Sequence, residues 1–327
     1  MTQPVATPSA EWTIGRLLAW TREHLGKAGV EEPRLAAEVL LAHALGRRRI
    51  DLYTRFEAVP EPQQLGKYRE LVKLAAQHTP IAYLVGRREF YSLDFEVTPD
   101  VLIPRPETEL LVERVIQHAG ARGEGEAPAE PSFPQRILDL GTGSGCIVLA
   151  ILKHLPSALA VASDRSAAAL AVARRNAERL GLADRVRFVE ADGLNLPAAA
   201  GPERGFDVLV SNPPYIPAGE WAHLPRSVRE HEPRAALVGG ADGLDFYRLI
   251  ARDAPARLAP HAAIFVEIGA EQAEAVASIF QHAGQFESAG AWRDPGHSRP
   301  RAGCVPDDRV TGHVRVMGFR TPPARAG

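Results

Sequence analysis

Apolar residues recur at helical spacing through the first part of the chain. Ile14, Leu17 and Leu18 occupy i, i+3 and i+4 positions, and the same period continues through residues 35–41. Such a period places the apolar side chains on one face of each helix. The pattern therefore predicts several short helices that pack as a small all-α domain over residues 1–86.

Two prolines and an alternating segment complete this region. Pro62–His78 and Pro80–Val85 each begin with a proline, which suits the first turn of a helix. Apolar and polar residues then alternate over Glu89–Val97, as in a strand or a hairpin. We interpret residues 87–104 as a hairpin linker that leads into a second domain over residues 105–327.

The second domain alternates short apolar runs with helical stretches. This alternation predicts parallel strands joined by right-handed crossovers, an α/β doubly wound sheet. The predicted strands are Ile137–Leu140, Leu159–Ser163, Val186–Val189, Phe206–Val210 and Ala262–Ile268. The predicted helices run from Pro106 to about His118, from Cys146 to Leu155, from Ser166 to Leu180, near Leu244–Leu258, and from Glu271 to Ala283. An antiparallel pair is expected at Phe286–Trp292 and His313–Phe319.

Residues Ala119–Gln135 interrupt this alternation. They are rich in Ala, Gly, Glu and Pro and show no apolar period. A segment of this composition buries too little apolar surface to offset the entropy that ordering removes. We expect it to form a mobile surface loop.

Charge and cysteine content narrow the class of protein. The formal net charge of the 327 residues is −2, so no overall positive field favours nucleic acid. The two cysteines and the histidines show neither a disulfide framework nor metal-ligand spacing. No apolar run resembles a signal peptide or a membrane span. These features predict a cytoplasmic protein that needs no metal, membrane or direct nucleic-acid contact.

A glycine-rich loop follows the first predicted strand of the second domain. It runs from Asp139 to Gly145 in the order Asp-Leu-Gly-Thr-Gly-Ser-Gly. Alternate glycines let the backbone approach a ligand closely, and the next helix offers free amide donors. Asp139 is placed to engage a cationic amino group, which favours an amino-acid-bearing nucleoside over a dinucleotide. The alternative interpretation is a tight strand-to-helix turn without a ligand.

Acidic residues end the next two strands. Asp164 lies about 20 residues beyond the glycine loop, where a carboxylate meets ribose hydroxyls in such sheets; it also suits a helix N-cap. Asp192 is a candidate acceptor for the adenine exocyclic amine, with Gly193 leaving room for the ring, although a turn capped by Asp gives the same pattern.

The most specific signal follows the fourth strand, where the chain reads Asn212-Pro213-Pro214-Tyr215. A carboxamide oxygen and two prolines form an acceptor-only surface, since proline lacks an N–H. We expect the proline carbonyls to face outward and hold a planar NH₂ group, with Tyr215 stacking on a flat amide or base. These residues are the predicted catalytic centre.

These motifs and several longer segments resemble the HemK/PrmC family of glutamine methyltransferases. The likeness includes the N-terminal helical region, Ile103–Glu113, Ile137–Ile151, Ser211–Pro217 and Glu232–Arg248. It implies a class I, Rossmann-like methyltransferase fold. The implied reaction is methylation of N5 of the Gln in the Gly-Gly-Gln motif of class-1 peptide chain release factors. S-adenosylmethionine is the implied cofactor and S-adenosylhomocysteine its product.

The resemblance also implies roles for individual residues. The cofactor is expected against Gly141, Thr142, Gly143, Ser144, Gly145, Asp164, Asp192 and Gly193, with Asn212 touching its methionine part. The glutamine is expected at the residues from Asn212 to Tyr215. Pro104, Arg105, Glu107 and Thr108 match a segment that covers the active site in the family, although Arg105 equally suits an ion pair with surface acids. The helical domain is expected to hold the release factor, and the enzyme is expected to be a monomer.

The sequence supports three other functions to different degrees. An adenine-N6 methyltransferase of DNA or RNA has the same acceptor chemistry, and the Arg-bearing segment from Arg293 to Arg325 favours it. A nicotinamide dehydrogenase is disfavoured by the glycine spacing, and a non-catalytic scaffold by the intact loops. The chain also departs from the family where an insertion separates Arg293-Asp294-Pro295-Gly296 from Asp308-Arg309-Val310.

Overall fold

The computed structural model describes residues 11–121, 135–293 and 315–322. The chain divides into two compact units, one up to Gly86 and one that begins at Arg87. Within the described residues, no helix is long and apolar enough to cross a membrane.

The first unit is a helical bundle, as predicted. Its helices are α1 (Ile14–Lys27), α2 (Pro33–Leu45), α3 (Arg49–Thr54), α4 (Pro62–Ala76) and α5 (Ile81–Val85). The α1 helix begins where the Thr13 hydroxyl accepts a hydrogen bond from the Arg16 amide at 3.4 Å. Leu25, Leu40 and Leu41 are fully buried in the bundle core.

The second unit begins with a hairpin and continues with alternating strands and helices. Its strands are β1 (Arg87–Phe90), β2 (Leu93–Glu96), β3 (Arg136–Leu140), β4 (Leu159–Asp164), β5 (Val186–Glu190), β6 (Phe206–Ser211), β7 (Leu258–Ile268), β8 (Glu287–Arg293) and β9 (Arg315–Arg320). Its helices are α6 (Glu109–Ala121), α7 (Cys146–His154), α8 (Ala167–Leu180), α9 (Arg226–Arg229), α10 (Asp245–Asp253) and α11 (Ala273–His282).

Strands β3 to β9 form one twisted sheet in the order β5-β4-β3-β6-β7-β9-β8. The first five strands in this order run parallel to one another, and β9 runs antiparallel to both β7 and β8. Apolar side chains cover both faces of the sheet, as expected for parallel strands between helix layers. The Rossmann-like methyltransferase architecture and the antiparallel end of the sheet are therefore confirmed.

The region before β7 differs from the prediction. A helical stretch was expected near Leu244–Leu258, and α10 with the 3-10 turn Ala254–Ala256 covers most of it. Strand β7, however, already begins at Leu258 rather than at the predicted Ala262. Pro255 follows the end of the helix and cannot continue its hydrogen bonding. Leu258 pairs with Phe206, and the register shifts before Ala263 pairs with Val208. The spacing of apolar residues did not mark the start of β7, because a strand that begins with a bulge has no regular apolar period.

Two other predictions fall partly outside the described residues. Helix α6 extends to Ala121, three residues beyond the expected end at His118. Residues 122–134 of the expected surface loop are not described, and neither is the insertion between Arg293 and Arg315.

Candidate active site

The predicted site residues lie at the carboxyl ends of adjacent parallel strands. Strand β3 pairs with β4 on one side and with β6 on the other, which makes it the point where the strand order reverses. Ligands bind to open α/β sheets at this position. Ser211, at the end of β6, donates from its hydroxyl to the Leu140 carbonyl at 2.7 Å and holds the two loops together.

The glycine loop has the conformation that its sequence requires. Gly141, Gly143 and Gly145 have φ angles of 73°, 55° and 80°. A Cβ atom on Gly141 or Gly143 would meet nothing within 4 Å, whereas one on Gly145 would lie 3.3 Å from the Cβ of Ala173. The first two glycines thus face open space, and the third allows α8 to pack closely.

Asp139 is fully buried below this loop. Its Oδ2 accepts a hydrogen bond from the Thr142 hydroxyl at 2.6 Å, while Oδ1 has no hydrogen-bond partner among the described residues. Burial raises the pKa of this carboxyl to about 7. A buried acceptor without a donor is rare in proteins, and a bound ammonium group is one way to satisfy it. The unsatisfied carboxyl oxygen of Asp139 therefore fits a cofactor that carries the ammonium group of an amino acid.

Asp164 connects the glycine loop to the start of α8. One carboxylate oxygen accepts from the Gly143 amide and the other from the Ser166 amide, both at 2.9 Å. The N-cap of α8 is Ser166, whose hydroxyl accepts from the Ala169 amide at 3.1 Å. The alternative of Asp164 as the helix N-cap is thus not what the structure contains, and the ribose contact stays a prediction.

The loop after β5 has the geometry of a turn. Asp192 is exposed, and its backbone carbonyl accepts from the Asn195 amide at 3.2 Å. Gly193 has a φ of 57°, and a Cβ there would lie 2.8 Å from Leu249 Cδ1. The left-handed conformation and this close packing already account for the glycine, so its contact with an adenine ring stays a prediction.

The backbone carbonyls after β6 differ from the expectation that they all face outward. The Tyr215 carbonyl accepts from the Gln272 side-chain amide at 2.9 Å. The Pro214 carbonyl faces Gly239, where a Cβ would lie only 2.2 Å from its oxygen. Among the described residues, no hydrogen bond reaches the Pro213 carbonyl. The Tyr215 and Pro214 carbonyls therefore face the protein, where they support the loop. The Pro213 carbonyl is left as the backbone acceptor for a ligand.

Asn212 is held from the opposite side by the segment before α6. Its Nδ2 donates to the Thr108 hydroxyl oxygen at 3.2 Å. The structure therefore brings Thr108, one of the residues named from the family resemblance, into contact with the predicted catalytic asparagine. The same segment contains Glu107, which is half-buried.

Arg105 forms an ion pair, but not with a surface acid. Its Nη2 lies 2.6 Å from Oε1 of Glu232, whose side chain is only 2% exposed. The other carboxylate oxygen accepts from the Ile103 amide at 3.2 Å. Arg105 is thus paired with an acid, as the alternative interpretation had it, but this acid is buried rather than on the surface. A contact of Arg105 with the substrate stays a prediction.

Three buried polar residues around the site were not predicted from the sequence: Asn176, Glu232 and Glu267. Asn176 donates from Nδ2 to the Ser144 and Glu96 carbonyls, at 2.9 and 3.0 Å, and so supports the glycine loop. Glu267 interrupts the apolar run Ala262–Ile268, and an acid inside a buried strand is a signal that was available. No comparable signal marked the other two.

Glu267 lies against the asparagine and the threonine described above. It is 1% exposed, and hydrogen bonds from Thr108 and Asn212 lower its pKa, but burial outweighs them and raises that pKa to about 7. Its Oε2 has no hydrogen-bond partner among the described residues. A second buried carboxyl thus lies on the acceptor side of the site.

Two further groups are neutral. Burial raises the pKa of the Tyr215 hydroxyl well above its usual value, which suits a ring that packs rather than one that transfers a proton. Burial likewise raises the pKa of the Cys146 thiol to about 12. Cys146, buried at the start of α7, is therefore a packing residue rather than a reactive thiol.

Comparisons with known proteins agree with this geometry. Residues 16–86 match the family described as the PrmC N-terminal domain, and residues 127–223 match the methyltransferase small domain. A release factor glutamine methyltransferase from Geobacter sulfurreducens is 46% identical, over 84% of this chain and 90% of its own length. One from Rhodopirellula baltica is 42% identical, over 88% of this chain and 95% of its own length.

Solved structures agree at the level of the fold alone. A crystal structure of the human METTL16 catalytic domain in complex with a MAT2A 3′UTR hairpin matches with a TM-score of 0.51 and 17% identity. The match covers 72% of this chain and 78% of that one.

Proposed function

The chain belongs to the release factor glutamine methyltransferase family, and we propose that it methylates N5 of the glutamine in the Gly-Gly-Gln motif of class-1 release factors. Like its family, it is an enzyme that depends on S-adenosylmethionine. The observation that supports the acceptor most directly is the pair of lone-pair groups at the end of β6, the Asn212 carboxamide oxygen and the Pro213 carbonyl.

This pair of acceptors suits the two hydrogens of a primary amide. The Asn212 amide nitrogen points to Thr108, so Oδ1 is left to accept one hydrogen of the substrate NH₂ group. The Pro213 carbonyl accepts the other. Two acceptors in one plane fix the nitrogen with its lone pair directed out of that plane, toward the bound cofactor.

The bound cofactor supplies an electrophilic methyl group on a sulfonium. The N–C bond forms as the S–C bond breaks, and the electron pair of the broken bond goes to sulfur. The amide proton becomes acidic only as the new bond forms, while the two acceptors stabilise the developing positive charge on nitrogen. That proton then leaves by way of an acceptor oxygen to water, which leaves a neutral N-methylamide. Positioning and electrostatics therefore account for most of the catalysis.

The cofactor is expected on the other side of β3. Asp139 would pair with its ammonium group, because that buried carboxyl lacks a donor on Oδ1. Asp164 would accept from the ribose hydroxyls, and Asp192 from the adenine amine. The open side of Gly141 and Gly143 would leave room for the backbone of the ligand.

The release factor is expected to contact both units. Tyr215 would stack on the flat glutamine amide, and the Arg105–Glu232 ion pair would hold the covering segment in place. The helical unit is the proposed grip on the body of the release factor, which accounts for a domain that carries no catalytic residue.

The proposal is tested by incubating the protein with cofactor labelled on its methyl group and a purified class-1 release factor. We expect one label on N5 of the motif glutamine, located by mass spectrometry. The control is the same release factor with that glutamine replaced by asparagine, which shortens the side chain and should accept no label. A parallel reaction contains double-stranded and single-stranded DNA. Label on adenine, with none on the release factor, would overturn the proposal in favour of a nucleic-acid methyltransferase.

A further inference from the structure

The buried acid on β7 lies beside the catalytic loop because of the sheet register. Ser211 and Val266 are paired in the parallel β6–β7 ladder, so Asn212 and Glu267 are the next residues along the two strands. The Glu267 side chain is almost completely excluded from water. Burying a carboxyl here destabilises the fold unless its neighbours compensate, which directs attention to the groups that it contacts.

The contacts of Glu267 restrict how the neighbouring side chains can be oriented. An ionised carboxylate only accepts hydrogen bonds, and a threonine hydroxyl has a single proton to donate. Thr108 and Asn212 lie close enough to Glu267 to favour its ionised form. Only donors stabilise a carboxylate, so we infer that both face it as donors. Thr108 has then used its proton and can only accept from Asn212, as the 3.2 Å contact from Asn212 Nδ2 requires.

We propose that Glu267 is a positioning residue that fixes the flip of the Asn212 carboxamide, so that Oδ1 faces the glutamine to be methylated. The inference deepens the proposed function and rests on it. Without an acceptor-only group at this position, nothing in the Asn212–Thr108 pair selects between its two amide orientations, because a hydroxyl accepts or donates equally well. The wrong orientation presents an NH₂ group to the substrate NH₂ group and repels it.

The same logic gives the orientation a pH dependence. A protonated Glu267 can donate to the Thr108 hydroxyl oxygen. That hydroxyl can then donate its own proton to Oδ1 of a flipped Asn212 carboxamide. Since burial raises the pKa of Glu267 to about 7, the productive orientation is fully favoured above that pH and is lost as the pH falls through it. The turnover number should therefore rise with pH through about 7.

Three of the other groups that face Glu267 stay neutral through this range and do not produce this response. The charged or titratable groups that interact with it from the surrounding elements are Arg105, Glu107, Tyr215, Tyr247 and Cys146. Raised pKa values keep both tyrosines and the thiol neutral in this range. The carboxyl of Asp139 titrates near the same pH, but its effect is on cofactor binding, and saturating cofactor separates the two.

The first test compares Glu267→Gln with Glu287→Gln, which makes the same change on the exposed edge strand β8. At pH 8 and saturating cofactor, we expect Glu267→Gln to lower kcat for release-factor methylation about 10- to 100-fold. The affinity for S-adenosylmethionine should stay within about threefold of wild type. The rise of kcat through pH 7 should disappear in this variant and persist in Glu287→Gln.

The second test exchanges the two side-chain types. Asn212→Asp alone places two carboxylates together and should be less active than Glu267→Gln. Combined with Glu267→Gln it should regain at least about tenfold, because the glutamine amide then donates to one carboxylate oxygen while the other faces the substrate. Neighbouring residues are also coupled in stability, so the free energy of unfolding of the same variants is measured in parallel. Recovery of kcat beyond any recovery of stability supports the positioning role, whereas equal recovery of both would mark Glu267 as merely structural and overturn it.

The outcomes separate this inference from the proposed function. If the wild-type protein does not label a release factor, the proposed function fails. If it does, and Glu267→Gln keeps the wild-type kcat and pH profile, the positioning role alone is overturned. Thr108→Val, which removes the bridging hydroxyl, gives an independent check and should reduce kcat by a similar factor; wild-type turnover in Thr108→Val would also overturn the inference.

Discussion

The cofactor half of the site, the loops after β3 and β4, differs in construction from the acceptor half, the loop after β6 with the segments that face it. In the cofactor half, Asp139 and Thr142 are three residues apart, and Gly143 and Asp164 are 21 apart. In the acceptor half, Asn212 and Thr108 are separated by 104 residues, and Arg105 and Glu232 by 127. Local turn chemistry shapes the first half, and only the folded sheet assembles the second.

The two halves nevertheless share one electrostatic feature. Each contains a fully buried carboxyl whose pKa burial raises to about 7 and whose second oxygen lacks a partner among the described residues: Asp139 and Glu267. Both lie at strand ends next to β6. Each half therefore contains a buried hydrogen-bond acceptor that lowers the stability of the fold, and this loss is recovered only when ligands occupy the site. Such groups are common at functional sites.

The largest expected effect comes from removing the acceptor asparagine. Asn212→Ala should lower kcat about 1000-fold, because it deletes the carboxamide oxygen that holds the glutamine nitrogen. The affinity for S-adenosylmethionine should change by no more than about threefold, because the cofactor half is built from other residues. Steady-state methylation of a release factor and calorimetric cofactor titration measure the two quantities.

Ser227→Ala is a suitable control, since Ser227 lies on the short helix α9 and has no role in the proposed site. A substantial loss of cofactor affinity in Asn212→Ala would show that the two halves are not separable. Turnover close to wild type would remove the acceptor pair from the mechanism.

The difference between the halves also explains what the sequence predicted. The cofactor loops could be predicted because the spacing of alternate glycines and strand-end acids is recognisable within about 25 residues. The Asn-Pro-Pro-Tyr segment could be predicted because it too is contiguous. The direction of its carbonyls was not predicted correctly, because it depends on other segments. Gln272 donates to the Tyr215 carbonyl, and the Pro214 carbonyl packs closely against Gly239.

The same reason applies to the fold. Strands and helices with a regular apolar period were predicted to within a few residues, and so was the antiparallel β8–β9 pair. The start of β7 was missed because Leu258 joins the sheet through its partner Phe206 and a register shift, neither of which has a periodic signature. Glu232 was missed because burial of an acid is decided by the residues around it, whereas Glu267 could have been recognised as an acid inside the apolar run Ala262–Ile268.

The second expected effect tests whether the acceptor half depends on distant packing. Gly239→Ala places a Cβ where the Pro214 oxygen lies 2.2 Å away, so the loop must shift by roughly 1 Å to avoid it. A displacement of that size in a catalytic loop lowers kcat by about 100-fold. Release-factor methylation at saturating cofactor measures it.

Gly219→Ala is the matched control, because a Cβ there meets nothing within 4 Å and its φ is not positive. We expect it to keep wild-type turnover. Equal activity of the two variants would mean that the carbonyl of Pro214 is not fixed by Gly239, and the contrast between the halves would lose its strongest support.

The smallest expected effect concerns Asp139, in the cofactor half. Its pKa is raised from 3.8 to about 7 by burial, so the folded state binds a proton more tightly than the unfolded chain. The stability associated with this proton is present below about pH 4 and is lost as the pH rises through 7. Asp139→Asn keeps an acceptor for Thr142 and removes the charge. The variant should therefore unfold with a free energy about 2–4 kcal/mol higher than wild type at pH 8.

Binding should respond in the opposite direction. A cationic ligand group favours the ionised carboxylate, so wild-type affinity for S-adenosylmethionine should rise as the pH increases through about 7. Asp139→Asn should bind about tenfold more weakly at pH 8 and lose most of this dependence. Chemical denaturation and cofactor titration, each at pH 5 and pH 8, measure the two effects. A variant that is both less stable and unchanged in affinity at pH 8 would show that this buried carboxyl supports the fold rather than the ligand, and the electrostatic likeness between the two halves would then end at Glu267.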